Sequence, residues 1–180
     1  MRIIASFLFF FIVSFSYGQI KKVDLQASGL TCSMCSNAIN KALKTIDYVA
    51  AVDANIEHST FEITFKPNAV VNFDELKKKV EGAGFFVAKM TFTLMVDQLD
   101  LFNDKHSDLN GTMFHFLNVG NHKITGENTF QILDKGYVTA KEFKKNSKYT
   151  TMHCYQTGIM GVCCKNKEKS VGTRIYHVTI

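Results

Sequence analysis

The chain has 180 residues, enough for one large domain or two small ones, and its hydrophobic fraction of 46% and charged fraction of 21% are those of an ordinary globular protein. The net charge of +5 is modest and dispersed, which argues against a nucleic-acid partner. The sequence has no phosphate-binding loop, zinc-protease motif or recognisable nucleophile–base pair. We therefore expect a binding protein and not an enzyme.

Residues 1–18 are predicted to be a signal peptide. Arg2 gives the segment a positive start, and residues 3–15 are apolar apart from two serines. Such a run is too short for a transmembrane helix, but it is typical of a segment that is cleaved after export. We therefore expect a secreted or periplasmic protein with no stable membrane anchor.

Residues 19–90 alternate between strand and helix patterns. Apolar residues recur at every second position in the strands and on one face in the helices, and Asn72 with Glu75 favours a helix start. The predicted elements are a strand at 23–27, a helix at 33–46, strands at 52–56 and 61–65, a helix at 73–82 and a strand at 85–88. This βαββαβ order predicts an α+β, ferredoxin-like sandwich with two helices on one face of an antiparallel sheet.

Two cysteines, Cys32 and Cys35, lie between the first strand and the first helix. A helix N-terminus favours the thiolate form of cysteine, and thiolates select soft metal ions. Two ligands suit a linearly coordinated ion and fall short of the four that a structural zinc ion requires. The pair therefore predicts a site for Cu(I) in the first place, with Hg(II) and Zn(II) as alternatives.

The segment from Gly29 to Cys35 reads Gly-Leu-Thr-Cys-Ser-Met-Cys. It resembles the Gly-Met-Thr-Cys-x-x-Cys loop of heavy-metal-associated domains, which occur in copper chaperones, copper ATPases and periplasmic mercury-binding proteins. The resemblance covers about residues 20–90 and includes Phe85, which looks like the family's loop aromatic near the metal. Leu30 replaces the usual methionine, and we expect it to face the core. The resemblance implies a partner protein that donates or accepts the metal.

Residues 91–180 are predicted to form a separate, mostly-β domain of unknown role. Strand patterns occur at 92–96, 113–117 and 130–133, a helix pattern at 139–145, and further strand patterns at 149–155 and 174–180. This order is that of an OB-like barrel, although other small barrels fit nearly as well.

Cysteine and histidine are dense near the C-terminus, at His153, Cys154, Cys163, Cys164 and His177. Export would place the five cysteines in an oxidising compartment, and an odd number leaves at least one outside any disulfide. We expect a disulfide from Cys154 to Cys163 or Cys164. The alternative is a second metal site formed by His153 and these cysteines, with His177 as a further candidate. Of the other histidines, His106 and His122 are predicted in loops and His115 is predicted to pack within a strand.

The sequence thus predicts an exported protein that binds a soft metal ion, most of all Cu(I), and passes it to a partner by thiolate exchange. An exported thiol–disulfide oxidoreductase using Cys32 and Cys35 is the alternative, and a passive interaction module is a third hypothesis. A carrier requires both thiols reduced, whereas a redox enzyme cycles through their disulfide.

Overall fold

The computed structural model describes residues 18–30, 33–162, 164 and 171–180. The predicted signal peptide (residues 1–17 of it), Cys32 and Cys163 lie outside these residues. The elements are β1 (Gln19–Ser28), α1 (Ser33–Lys44), β2 (Val49–Asn55), β3 (Thr60–Phe65), α2 (Phe73–Gly82), β4 (Phe86–Leu101), β5 (Lys105–Leu109), β6 (Thr112–Phe116), β7 (His122–Ile132), α3 (Ala140–Asn146), α4 (Cys154–Thr157) and β8 (Ile175–Thr179). No helix in the described part of the chain is long and apolar enough to cross a membrane.

The first half has the predicted βαββαβ sandwich. Strand β1 lies between β3 and β4 and is antiparallel to both. Its inward side chains Val23 and Leu25 are fully buried, as are Ile39 on α1 and Leu76 on α2. Both helices therefore pack their apolar faces on the same side of the sheet, as the periodicity predicted.

Helix α2 begins and ends where its local sequence predicts. The side chain of Asn72 accepts a hydrogen bond from the backbone N–H of Glu75, which satisfies one of the free donors of the first turn. The helix ends at Gly82, and Gly84 follows with φ +89°, a left-handed conformation that glycine adopts without strain.

The two halves are joined by one long strand, and the structure does not confirm the barrel that the sequence predicted. The segments expected as separate strands at 85–88 and 92–96 both belong to the 16-residue strand β4, which contains the expected boundary at residue 90. No glycine, proline or asparagine interrupts residues 86–96, so nothing ends the strand there. Its second edge pairs with β7 from Thr91 onward, and the second half extends the first sheet.

The described strands form one eight-stranded sheet in the order β2-β3-β1-β4-β7-β8-β6-β5. Helix α3 and strand β8 confirm the patterns at 139–145 and 174–180, and Thr139 with Glu142 forms a full capping box. The strand expected at 149–155 is wrong. A short 3-10 helix ends at Tyr149 and α4 begins at Cys154, so the segment has no strand. The Tyr155 hydroxyl donates to the backbone oxygens of Leu133 and Phe143 and holds α4 in place.

The sheet is covered on both faces. Helices α1 and α2 pack against a main core that continues into the second half, where Phe73 of α2 contacts the rings of Phe92, Phe114 and Tyr176. Side chains alternate along a strand, so Met113 and Ile175 lie on the opposite face. There they pack with Cys154, Met160 and Cys164 in a second, smaller cluster.

A network of charges connects helix α2 to the second half. The carboxylate of Asp74 accepts hydrogen bonds from Arg174 Nε at 2.7 Å and from the hydroxyls of Tyr137 at 2.6 Å and Tyr176 at 3.1 Å. Arg174 also lies 2.8 Å from Asp134, measured from Nη1 to Oδ2. The guanidinium therefore bridges two carboxylates, one from each half.

Candidate metal centres

The loop between β1 and α1 presents Cys35 in the first turn of a helix. This side chain is half-buried, and Cys32 lies outside the described residues. Helix α1 has no acidic residue in its first turn, and its N-terminal N–H groups and the positive end of its dipole lie next to the thiol. The structure therefore places Cys35 at the helix start, where the sequence predicted a metal ligand.

The aromatic ring of Phe85 lies beside Gly29, at the start of this loop. Gly29 has φ +84°, and a Cβ placed on it would lie 4.0 Å from Cδ1 of Phe85. Phe85 lies three residues after the end of α2, and the neighbouring residue Phe86 pairs with Ser28 across the β1–β4 ladder. The two loops that the sequence related to a metal site therefore meet at one end of the sheet.

The other side chains next to this loop are either packed against the core or exposed to solvent. Leu30 is partly buried against the main core, which confirms the packing expected of it. Met34, between the two cysteines, is 83% exposed, and Phe86 is 69% exposed. Two exposed apolar side chains therefore lie next to the loop, one at the start of α1 and one at the start of β4.

A second concentration of ligand side chains lies on the far half of the sheet. Three histidines occupy one row across neighbouring strands: His106 on β5 is paired with His115 on β6, and His115 is paired with His177 on β8. Directly paired residues point to the same face of a sheet. His115 is buried in its strand as expected, but the expectation that His106 lies in a loop is wrong, and His122 begins β7.

Cys154 on α4 points at this row of histidines. Its Sγ lies 3.5 Å from Nε2 of His177, 3.9 Å from Nδ1 of His115 and 4.0 Å from Nε2 of His106. One ligand atom from each of His106, His115 and Cys154 lies within 4.8 Å of the others. The sequence singled out Cys154 and His177 but neither of the other two histidines.

The other residues predicted for a second site are placed differently. His153 is exposed at the start of α4. Cys164 is buried in the same apolar cluster as Cys154, and Cys163 lies outside the described residues. The disulfide from Cys154 to Cys163 or Cys164 stays a prediction.

Two carboxylates hold the buried imidazoles. Nδ1 of His177 lies 2.6 Å from Asp134 Oδ1, and Nε2 of His115 lies 2.9 Å from Asp104 Oδ1. Burial, followed by repulsion from His177 and His106, lowers the pKa of His115 to about 3 in spite of Asp104. His115 is therefore a neutral imidazole that donates to Asp104 through Nε2–H and turns the lone pair of Nδ1 toward Cys154.

Comparison with known proteins shows the family of the segment that contains Cys32 and Cys35. The heavy-metal-associated domain model matches residues 24–86. The mercuric transport protein periplasmic component of Pseudomonas fluorescens is 35% identical over 63 residues, which are 35% of this chain and 68% of that protein. The copper chaperone CopZ of Staphylococcus aureus is 29% identical over 63 residues, 35% of this chain and 91% of CopZ. The chain therefore belongs to the heavy-metal-associated domain family through this segment.

Two further relatives are much longer proteins, and a third is known from its crystal structure. The chain covers 6% of the copper-transporting ATPase RAN1 of Arabidopsis thaliana, with 29% identity over 66 residues, and 9% of a copper-exporting P-type ATPase of Staphylococcus saprophyticus. The crystal structure of oxidized MerP from Ralstonia metallidurans is 28% identical, covers 39% of this chain and 96% of MerP, and has a TM-score of 0.36.

Proposed function

We propose that this protein is an exported carrier of a soft metal ion, Cu(I) in the first place, which Cys32 and Cys35 bind and pass to a partner protein. The observation that carries the proposal is the position of Cys35 in the first turn of α1 within a heavy-metal-associated domain. Relatives named as copper chaperones and as a mercuric transport protein support a soft ion as the cargo.

The surroundings of the loop are consistent with exchange of the ion and not with its permanent storage. A two-thiolate site leaves a soft ion with open coordination positions, so the thiolate of a partner can bind before one of the first two leaves. The exposed side chain of Met34 and the exposed ring of Phe86 lie beside the loop, where a partner would approach. Such transfer avoids release of free metal.

The test uses protein purified after export from cells that express the full chain. We expect Cys32→Ser with Cys35→Ser to lower the Cu(I) content by one ion per chain and to abolish the thiolate–metal charge-transfer absorption of this site. Met34→Ala is the matched control, because it changes the exposed residue between the cysteines and keeps both thiols. The same titrations with Hg(II) and Zn(II) identify the preferred ion.

Two results would contradict the proposal. An unchanged Cu(I) content in the double variant would reject the cysteine pair as the site. Efficient reduction of a disulfide peptide by the wild-type protein, lost in the double variant and unaffected by copper, would favour the oxidoreductase alternative. The intact mass of the exported protein reports in the same experiment whether residues 1–18 have been removed.

A further inference from the structure

The second cluster has the spacing of a metal site. In a tetrahedral site, bonds of about 2.3 Å to sulfur and about 2.0 Å to nitrogen place these ligand atoms roughly 3.5 Å apart. The three nitrogen atoms that face Cys154 Sγ lie at 3.5, 3.9 and 4.0 Å from it. His106, His115 and Cys154 each offer one ligand atom within 4.8 Å of the others, so these three atoms would have to approach one another by up to about 1.5 Å to bind one ion. His177 adjoins this group through its 3.5 Å contact with the sulfur.

The outer contacts orient the ligands as a metal site requires. A histidine that binds a metal through one nitrogen commonly donates its other N–H to a carboxylate, which fixes the ring and its tautomer. Asp134 takes this position behind His177, and Asp104 takes it behind His115. Asp134 is itself held by Arg174, so this carboxylate is fixed from both sides.

A catalytic triad or a disulfide would use the same cysteine, but both fit the geometry less well. Cys154, His177 and Asp134 are spaced like a nucleophile, a base and an orienting carboxylate, but Cys154 is only 1% exposed and no substrate reaches its sulfur. A triad would also not explain why His106 and His115 approach the same sulfur. A disulfide of Cys154 would remove the thiolate, and peptide mapping without reductant would detect it.

We propose that Cys154, His106, His115 and His177 form a second, buried metal site for a borderline transition-metal ion, zinc or copper. Thiolate and imidazole together suit both ions. His106 is half-buried on the edge strand β5 and is the ligand nearest to solvent, so the ion enters on its side. Once bound, the ion ties α4 to strands β5, β6 and β8, and it stabilises the folded chain because the unfolded chain has no such site.

The test is carried out in the full chain with Cys32→Ser and Cys35→Ser, so that every bound ion is independent of the first site. Co(II), which is a spectroscopic probe for zinc, should bind at one ion per chain and produce thiolate charge-transfer absorption. Zn(II) should displace it and raise the melting temperature, and a parallel titration with Cu(I) shows which ion binds more tightly.

Three further variants assign the ligands. Asp104→Asn should weaken binding about tenfold to a hundredfold, since loss of an outer carboxylate has this effect. The φ of +58° at Asp104 is tolerated by asparagine, so the backbone should not change. His106→Gln should weaken binding further, whereas His153→Gln changes an exposed neighbour of Cys154 and should leave it unchanged. Circular dichroism of the metal-free variants controls for folding.

Three results would overturn the second site. The first is the absence of Co(II) charge-transfer absorption in a folded protein. The second is loss of binding in His153→Gln with none in His106→Gln. The third is a disulfide of Cys154 to Cys163 or Cys164, found by peptide mapping of the exported protein without reductant. A zinc-dependent rise of the melting temperature in the protein with intact ligands would support the site even if a histidine variant failed to fold.

Discussion

Replacement of Asp74 by asparagine tests whether the two halves are held together by their shared charge network. Burial alone would raise the pKa of Asp74, but hydrogen bonds from Arg174, Tyr137 and Tyr176 outweigh it and lower the pKa to about 2. Asp74→Asn removes the negative charge and preserves the size of the side chain. Among the described residues, Arg174 would then keep Asp134 as its close counter-charge.

The size of the effect follows from the pKa. An unfolded aspartate has a pKa of about 3.9, so the difference of about two units corresponds to roughly 2–3 kcal/mol at pH 7. For a chain of this length, that loss would lower the melting temperature by about 5–10 °C. Because the pKa is lower in the folded state, the stabilisation is complete above about pH 4 and is lost as the pH falls toward 2. About half of it should remain at pH 3.

The measurement is urea unfolding of the wild-type and variant proteins at pH 7 and at pH 3. Asp100→Asn is the matched control, because Asp100 pairs with Lys123 at 3.7 Å on an exposed surface, where such pairs contribute about 0–1 kcal/mol. A loss for Asp74→Asn no larger than that of the control, or a loss that is the same at both pH values, would refute the assigned role of the network.

Three further variants, one of them a control, address single positions. Gly158 has φ +69°, and a Cβ there would lie 2.7 Å from Arg174 Nη1, so Gly158→Ala should destabilise the protein by about 2 kcal/mol or more in thermal unfolding. Gly126 has φ +72°, and no atom of the described residues lies within 4 Å of an added Cβ, so Gly126→Ala is a control for the backbone strain alone. Equal losses would argue against the clash. Leu30→Met should change stability by less than about 1.5 kcal/mol and Cu(I) affinity by less than about tenfold in chelator competition, since volume-conserving apolar changes are tolerated. A larger change in affinity would mean that this side chain acts on the metal.

The first half could be predicted because its information is local. Each helix and strand has an apolar period that identifies it, and the loop cysteines lie where one element changes to the next. The second half was harder, because its first strand is a continuation of β4 and not a new start. The lack of any turn residue between Phe86 and Val96 could have indicated this.

The histidine row shows where sequence reasoning reaches its limit. Asn110 and Gly111 both have positive φ, at 53° and 80°, as the turn of a two-residue hairpin requires. Residues at equal distance from such a turn face each other, so His106 could have been placed opposite His115. The position of His177 beside them depends on parallel pairing of β6 with β8, which are far apart in the chain. The approach of Cys154 depends on how α4 crosses the sheet, and no local pattern encodes that.

The sheet also determines how the two proposed metal sites relate to each other. His177 accepts a hydrogen bond from the backbone N–H of Leu133, at the end of β7. When the pairing of β7 with β4 is followed across the sheet, this position lies about three residues along β4 from Phe86, which pairs with Ser28 beside the first loop. Three strand spacings separate β8 from β1 in the sheet order. These offsets amount to roughly 10 Å along the strands and about 14 Å across them. Thiolate exchange requires both sets of ligands on one ion, and hydrogen-bonded strands cannot close such a gap. The two sites must therefore be filled separately, and occupancy of the buried site should not depend on Cys32 and Cys35.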